Sequence, residues 1–536
     1  MKRYRLFFSF IVAAFLVSGC AKSQSGVVSS TSAISSQSQQ SGEKQNSGSD
    51  TLTLSMRTAN DLNPLTNCDA SVDNVLRMVF EPLIALDESD KPTAAIAESW
   101  YYTEDGRGLT IKLKDGLRFH DGSQITAEDV SYSIGVIRSA DENSVYKKCV
   151  SNISSVSVND KLTLSVRFNS AYSGNIYSMC FPVISQTYYS NAANKNTPMG
   201  SGPYKFVSMT QAKEMVLEAA DNSFTQKPQI PNIEIKMTTD PDTDIYSFSQ
   251  KITDCVAVDE NNIGGDDLEK DAKKVEYTDD YYEFIGFNFK NKICADKNFR
   301  KAVASCIPID NIIDSIYLSK AVSAQSPVNP SSYLYDASVK QANYDVSMAK
   351  EYLSISGWKD TDGDGILEKE DETGTPQKLE ISILVNNENK QRRQVAIKIA
   401  DELKTIGVNA NIVSAGFDDY SKALSSGNFD MFVGGWKMSV DPYFGFMFSS
   451  GAIGSTNYIN YNSERMNELL SAAYSAVNEE DIKTAYSELE KYCADDCPYI
   501  SLLFRKSALY VNNRIDGEIK AQPFNSYINI ENWRFK

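Results

Sequence analysis

Between Leu379 and Val433 the hydrophobic positions change period twice. Apolar residues alternate at Leu379, Ile381, Ile383 and Val385, the period of two expected of a strand. Val395, Ala396, Ile399, Ala400, Leu403 and Ile406 then recur at helical spacing. They predict an amphipathic helix with Gly407 just past its end, where a left-handed residue fits. Alternation returns at Val408, Ala410 and Ile412; Asp418-Asp419 can start a short helix through Leu424, and Phe429-Asp430-Met431-Phe432-Val433 reads as a third strand. Strand-helix-strand-helix-strand with short connections is the pattern of a parallel sheet. Ligands of such sheets bind beyond the carboxyl ends of the strands. Three segments emerge there: Asn386-Asn387, Ser414 to Phe417, and Gly434-Gly435-Trp436. The two glycines predict a backbone bend. Trp436 then serves as an apolar wall of the crevice or, alternatively, as a cover for the sheet edge.

The N-terminus follows a different pattern. Basic MKRYR precedes an apolar run from Leu6 to Val17, interrupted only by Ser9, and then Val17-Ser18-Gly19-Cys20. The run is too short for a membrane span, which needs about 20 apolar residues, and reads as a signal peptide over residues 1–20. The small residues before Cys20 resemble a bacterial lipobox, whose cysteine is diacylated and becomes the first residue after cleavage. Two acyl chains give stable anchoring; ordinary secretion is the alternative. Residues 21–50 are Ser, Gln and Gly with few bulky apolar groups, a flexible tether reaching roughly 30 Å.

The remainder, about 490 residues, exceeds what one core comfortably holds, so at least two lobes are expected. The formal net charge is −17, and more negative once Lys2, Arg3 and Arg5 leave with the signal peptide. That excludes nucleic acid as a natural partner, since phosphate binding needs clustered cations. Eight cysteines besides Cys20 permit disulfides in an exported chain, with connectivity open. Cys149 and Cys180 flank a predicted hairpin, and Cys493 and Cys497 sit one helical turn apart. Scattered pairs or buried thiols are favoured over a metal site, since nothing completes four ligands.

Catalytic signatures are missing. His120 is the single histidine, so an HExxH site is impossible and any Ser-His or Cys-His pair must use it. It sits in FHDGSQITAEDV, where Asp121-Gly122 reads as a turn and Thr126 as an N-cap with Asp129 three residues on, a structural setting. There is no GxSxG elbow and no GxxxxGK phosphate loop. Carboxylates are abundant, but nothing singles out a glycosidase-like pair.

Several blocks together resemble a known family. They are Asn63-Pro64-Leu65; AIAESWYYTEDGRGLTIKLKDGLRFHDGSQITAEDVSYSI at 95–134; GSGPYKF at 200–206; FIGFNFKNKICADKNFRKAVASCIPIDNII at 284–313; and GGWKMSVDP. The block around FHDG with downstream AEDV is the specific part. The chain resembles the extracellular solute-binding proteins of peptide-type ABC importers, which include dipeptide, oligopeptide and nickel binders. The resemblance covers most of residues 51–536. It implies an α/β, bilobal periplasmic-binding-protein-like (class II) fold with an extra subdomain in lobe one and a two-strand hinge. Lobe one takes 51–283 plus 505–536, with the subdomain at about 90–195; lobe two takes 284–504. The chain crosses between them near Tyr281 to Asn288 and near Pro498 to Val511.

On that resemblance the function is capture rather than chemistry, with no cofactor. A monomer held outside the membrane through Cys20, on a Gram-positive surface or in a periplasm, closes on a peptide or related small solute and presents it to a permease with its ATPase subunits. The candidate ligand-binding residues are Gly435, Trp436, Lys437, Met438, Ser439, Asp441, Asn387, Tyr282 and Asn63. The resemblance also implies an aspartate three residues after the lobe-two tryptophan, paired with a ligand α-ammonium. Here that place holds Ser439, and Asp441 is the alternative if the loop is shorter. A capped peptide, a sugar-linked solute or another small molecule therefore stays open beside a free-amine peptide. The rivals are a secreted carboxylate-dependent hydrolase and a surface receptor with the same fold.

One further motif carries its own chemistry. Asp360, Asp362, Asp364, Glu368 and Asp371 fall at calcium-loop positions 1, 3, 5, 9 and 12, with Gly365 at position 6. The residue at position 12 is an aspartate rather than the usual glutamate, and flanking helices are not evident. A surface turn is the alternative. Nickel is disfavoured because His120 alone offers an imidazole.

Overall fold

The alternation at 379–385 is a central strand whose two faces feed two separate cores. The computed structural model describes residues 50–221 and 226–536; the predicted signal peptide, Cys20 and the tether up to residue 49 lie outside them. Elements of the largest sheet are numbered in chain order: β1 (Cys255–Val258), β2 (Ala272–Phe287), β3 (Ala321–Ser323), β4 (Glu380–Asn386), α1 (Lys390–Thr405), β5 (Asn409–Ala415), α2 (Phe417–Ser426), β6 (Met431–Lys437) and β7 (Tyr499–Asn512). The strand order is β1-β7-β2-β6-β4-β5, with β3 also on β7. β4 is parallel to both β5 and β6, as the pattern predicts. Ile381, Ile383 and Val385 pack with Val395, Ile399 and Leu403 of α1. Leu384 faces the other way, toward Tyr420 and Leu424 of α2. The Asn389 side chain caps α1 at the Arg392 N–H, 2.9 Å, and Gly407 follows it at φ +84°. The β5 alternation is only half used: Val408 is buried but Ile412 is 37% exposed, because β5 is the sheet edge.

The third strand differs from expectation. Gly434 and Gly435 do not bend the chain; β6 continues through them to Lys437, antiparallel to β2 from Phe287↔Met431 to Tyr281↔Lys437. The reason glycine is needed there is space, as described below.

A second group of elements builds its own core, running from Leu52 to Trp533. Its sheet has Thr51–Arg57 parallel to Asn232–Thr238, followed by Glu214–Ala219 and Tyr204–Thr210. A second, antiparallel sheet of Ala97–Tyr102, Gly108–Leu113, Thr163–Phe168 and Ile153–Asp160 shares that core. The segment GSGP stitches these parts together. Gly202 N–H donates to Val79 O (2.8 Å), and Gly200 O accepts from His120 N (2.8 Å). A Cβ on Gly200 would lie 2.0 Å from Val79 O. The helix Ala127–Ser139 begins with the expected Thr126–Asp129 capping box.

β2 and β7 link the two groups. Their ladder runs from Ala272↔Asn512 to Thr278↔Lys506, breaks, and resumes at Tyr282↔Phe504. Across the break Asp279, Asp280 and Tyr281 oppose the single residue Arg505. Such an irregularity bends and twists a strand pair.

Since Ile383 is fully buried in the central strand, Ile383→Ala should cost about 2–5 kcal/mol in denaturant titration. Ile412→Thr on the exposed edge should stay within about 0.5 kcal/mol.

Candidate functional site

Where the ladder breaks, four charged side chains from distant parts of the chain meet. Glu283 of β2 accepts from Arg392 Nε at 2.7 Å and Nη2 at 3.1 Å, and also from Arg505 Nη2. Arg505 Nη1 donates to Glu260 at 2.7 Å. The Glu283 side chain is 1% exposed. Burial pushes its carboxyl up, but Arg392 and Arg505 outweigh that and hold it below its ordinary value. Gly435 is cross-strand partner to Glu283, and a Cβ there would lie 2.3 Å from Arg392 Nη2. The glycine is the space in which the arginine reaches the carboxylate.

The same ladder leaves one edge of β6 open. Met438 N–H donates to Asp280 O at 2.9 Å, so by antiparallel alternation the even-numbered residues of β6 bond to β2. Gly435 and Lys437 therefore turn their backbone N–H and C=O the other way. On that side β4 pairs only as far as Leu384↔Phe432. The Val433 carbonyl is met by Tyr420 OH at 3.0 Å.

The structure separates the predicted site residues. Trp436 is half-buried, stacked on Tyr458 (5.8 Å, 10°) and edge-on to Phe446 (5.3 Å); its Nε1 is buried without a hydrogen-bond partner. It packs as an aromatic wedge between these rings. Lys437 is exposed, with Nζ 5.5 Å from the Tyr281 ring centroid. Ser439 is exposed and donates to Asp441 O at 3.0 Å. Asn387 is also exposed, at the outer end of β4, donating its N–H to Ala415 O. Two expectations need correction. Tyr282 is a core residue, 0% exposed with its hydroxyl on Ser501 Oγ at 2.6 Å, so it faces no cleft. Asn63 is a buried turn-former whose Oδ1 accepts from Leu65 N at 2.9 Å.

Asp441 lies where the two groups of elements touch. Its carboxylate accepts from Tyr172 OH, and a Cβ on Gly174 would lie 2.4 Å from it. Burial pushes the Asp441 carboxyl up to about 7. Tyr172, Tyr443 and Tyr474 touch one another, with centroids 5.0–5.7 Å apart. Tyr486 OH pins Pro442 O at 2.6 Å. Ser173 Oγ reaches Ala473 O at 2.8 Å, and Tyr333 N reaches Ser89 O at 2.8 Å. Nearby at the strand break is a cavity of about 310 Å³ with Glu88, Asp90, Glu276, Asp280, Asn329 and Lys520 on its walls. Burial, then Asp279 and Asp90, push Asp280 up to about 8; burial and Asp87 push Asp90 up to about 7. Tyr172, Gly174, Asp90 and Asp280 carry no sequence motif that marks them as contacts.

The other chemical candidates are structural. His120 Nε2 lies 2.9 Å from Gly202 O, and burial lowers its pKa. The eight described cysteines are free thiols, with burial pushing Cys149, Cys306 and Cys497 up to about 12. Of the calcium-loop residues, Asp360, Asp362, Asp364 and Glu368 come together. Asp371 does not, because its carboxylate closes a hairpin tip by accepting from Thr373 N and Thr375 N. Among the described residues no helix is long and apolar enough to cross a membrane.

Comparison with known proteins accords with this geometry. Residues 91–456 match the family described as bacterial extracellular solute-binding proteins, family 5, middle region. The chain is 26% identical over 553 residues to the oligopeptide-binding protein AppA of Bacillus subtilis (strain 168), covering 98% of this chain and 97% of that one. The solved structure of AppA from Bacillus subtilis in complex with a nonapeptide aligns with TM-score 0.57 and 24% identity, over 91% of this chain and 98% of that one. A nickel ABC transporter structure from Bacillus halodurans aligns with TM-score 0.76 and 17% identity, over 89% and 98%.

Because Glu283 has a depressed carboxyl pKa, its contribution to stability is full above the unfolded value of about 4.3 and is lost as pH falls through the lower folded value. Glu283→Gln should therefore cost about 3–5 kcal/mol near neutrality, by leaving Arg392 without a carboxylate and Arg505 with Glu260 alone. In thermal melts against pH the deficit should shrink below about pH 4.

Proposed function

Since the chain belongs to the bacterial extracellular solute-binding proteins, family 5, we propose that it is the capturing component of an ABC importer, closing two lobes on a peptide or related small solute. The observation that carries this reading is the open edge of β6. Gly435 and Lys437 offer backbone donors and acceptors to an extended chain, as in strand addition, where main-chain bonds give affinity without demanding a sequence. In this reading lobe one is 51–283 with 505–536, carrying its subdomain at about 90–195, and lobe two is 284–504. The break opposite Arg505 supports a hinge there, in the manner of two-strand domain closure. Cys20 would carry the lipid anchor on the outer face of the membrane, and the partners would be the permease and ATPase subunits. The protein would act as a monomer and without catalysis.

The carboxyls at the lobe junction favour a ligand bearing an amine. Asp90 and Asp441 at about 7 and Asp280 at about 8 are held protonated by burial. An ammonium entering beside them would draw their protons off. Binding then releases protons, so affinity for a free-amine peptide should rise from about pH 5 to pH 8 and stay flat for an N-acetylated one.

Native mass spectrometry of protein purified from cells in rich medium, followed by acid extraction, tests the assignment. A ladder of peptide masses is expected; a single non-peptide mass would remove the peptide reading and leave the fold untouched. Lys437→Pro deletes one outward N–H and should weaken captured peptides about tenfold by titration calorimetry.

A further inference from the structure

The turn between Trp358 and the hairpin strand Glu368–Glu370 gathers four carboxylates. Asp360, Asp362, Asp364 and Glu368 each place an oxygen within 4.8 Å of the others. The three aspartates are exposed, but Glu368 is only 5% exposed. Its backbone is locked to Lys359 by bonds of 2.7 and 3.0 Å. Glu368 Oε2 accepts from Thr361 N (2.8 Å) and Oγ1 (2.9 Å), while Oε1 is buried with no partner. A buried carboxylate oxygen left unpaired is costly, and within this cluster Glu368 carries one.

We propose that this loop binds a calcium ion, with Asp360, Asp362, Asp364 and Glu368 as carboxylate ligands. The spacing is 1, 3, 5 and 9 of a calcium loop, and Gly365 at position 6 has φ +88°. An all-oxygen, acidic donor set selects a hard cation over a transition metal. Calcium takes about six to eight oxygens in a flexible cage, whereas magnesium demands near-ideal octahedral geometry and keeps several waters, so a four-carboxylate loop suits the larger ion. Asp360 already accepts from Gly363 N and Gly365 N, which shapes the loop around the site. Lys378 is the competing cation. Its Nζ pairs with Asp364 and lies 3.5 Å from Asp362, and its side chain is 42% exposed, so it can swing away. The loop is tied to the amino end of β4 through Leu379 N to Leu367 O (2.7 Å) and to Gly407 through Leu367 N (2.9 Å). That is the end of the strand away from Asn387, so the ion would brace lobe two and not touch captured solute.

Thermal melts and titration calorimetry on the full chain, with calcium at about 1 mM or with EGTA, test the site. Calcium should raise the melting temperature by several degrees, and magnesium at equal concentration should not. Asp362→Asn, at an exposed position, and Glu368→Gln should each weaken calcium at least tenfold. Lys378→Ala should tighten it, and Asp371→Asn should leave it unchanged. The proposal is overturned if neither the wild type nor Lys378→Ala responds to calcium. It is equally overturned if Asp362→Asn responds as the wild type does, which would put the ion elsewhere.

Discussion

Two strands must pass from one hydrophobic core to another, and the charge quartet at their crossing governs what surrounds it. β2 and β7 cannot keep a regular ladder across the passage, and the break opposite Arg505 leaves that side chain beside Glu283. A buried pair of arginines requires carboxylates at close range, and Glu283 and Glu260 supply them. Arg392 must then come from the start of α1 and cross the face of β6. That crossing is sterically open only if residue 435 has no side chain. The glycine at 435 thus answers an electrostatic requirement. Glu260 precedes β2 and Arg392 opens α1, so the quartet joins distant parts of the chain at the strand break.

The cleft inherits its character from this arrangement. β6 is held against β2 by its even-numbered residues, and β4 leaves it after Phe432. The outward backbone groups of Gly435 and Lys437 thus belong to a strand already fixed on its other side. Beyond it, the turn from Ser439 to Gly445 is pinned by Tyr474 and Tyr486. That brings Asp441 against Tyr172, where burial raises its carboxyl pKa. Asp90 and Asp280 also have raised pKa values, through burial and neighbouring carboxylates.

Most blocks by which the chain resembles its family prove to be splices of the backbone. Asn63-Pro64-Leu65 is a closed turn, GSGP locks two chain segments together, and Asn288 Nδ2 donates to Gly427 O and Phe429 O at 3.0 and 2.8 Å. Such motifs fix shape and so identify a fold. They say little about what the fold holds, because their hydrogen bonds are made within the chain.

The sequence by itself determined the elements whose causes are local. The period of two at 379–385, the helical stripe of α1, the left-handed Gly407 and the Thr126–Asp129 box each depend on residues a few positions apart, and each is present. Tertiary structure alone decided the rest, since the deciding contacts span long stretches of chain: Glu283 to Arg392 is 109 residues and Tyr172 to Asp441 is 269. Trp436 and Tyr282 both read as cleft aromatics, yet packing buried one fully and half-exposed the other. Asp371 fitted the calcium spacing but was taken by its own hairpin turn, a closer partner than any ion. Local periodicity is written in hydrogen bonds between near neighbours, whereas a site is written in which distant side chains the packed cores bring within reach.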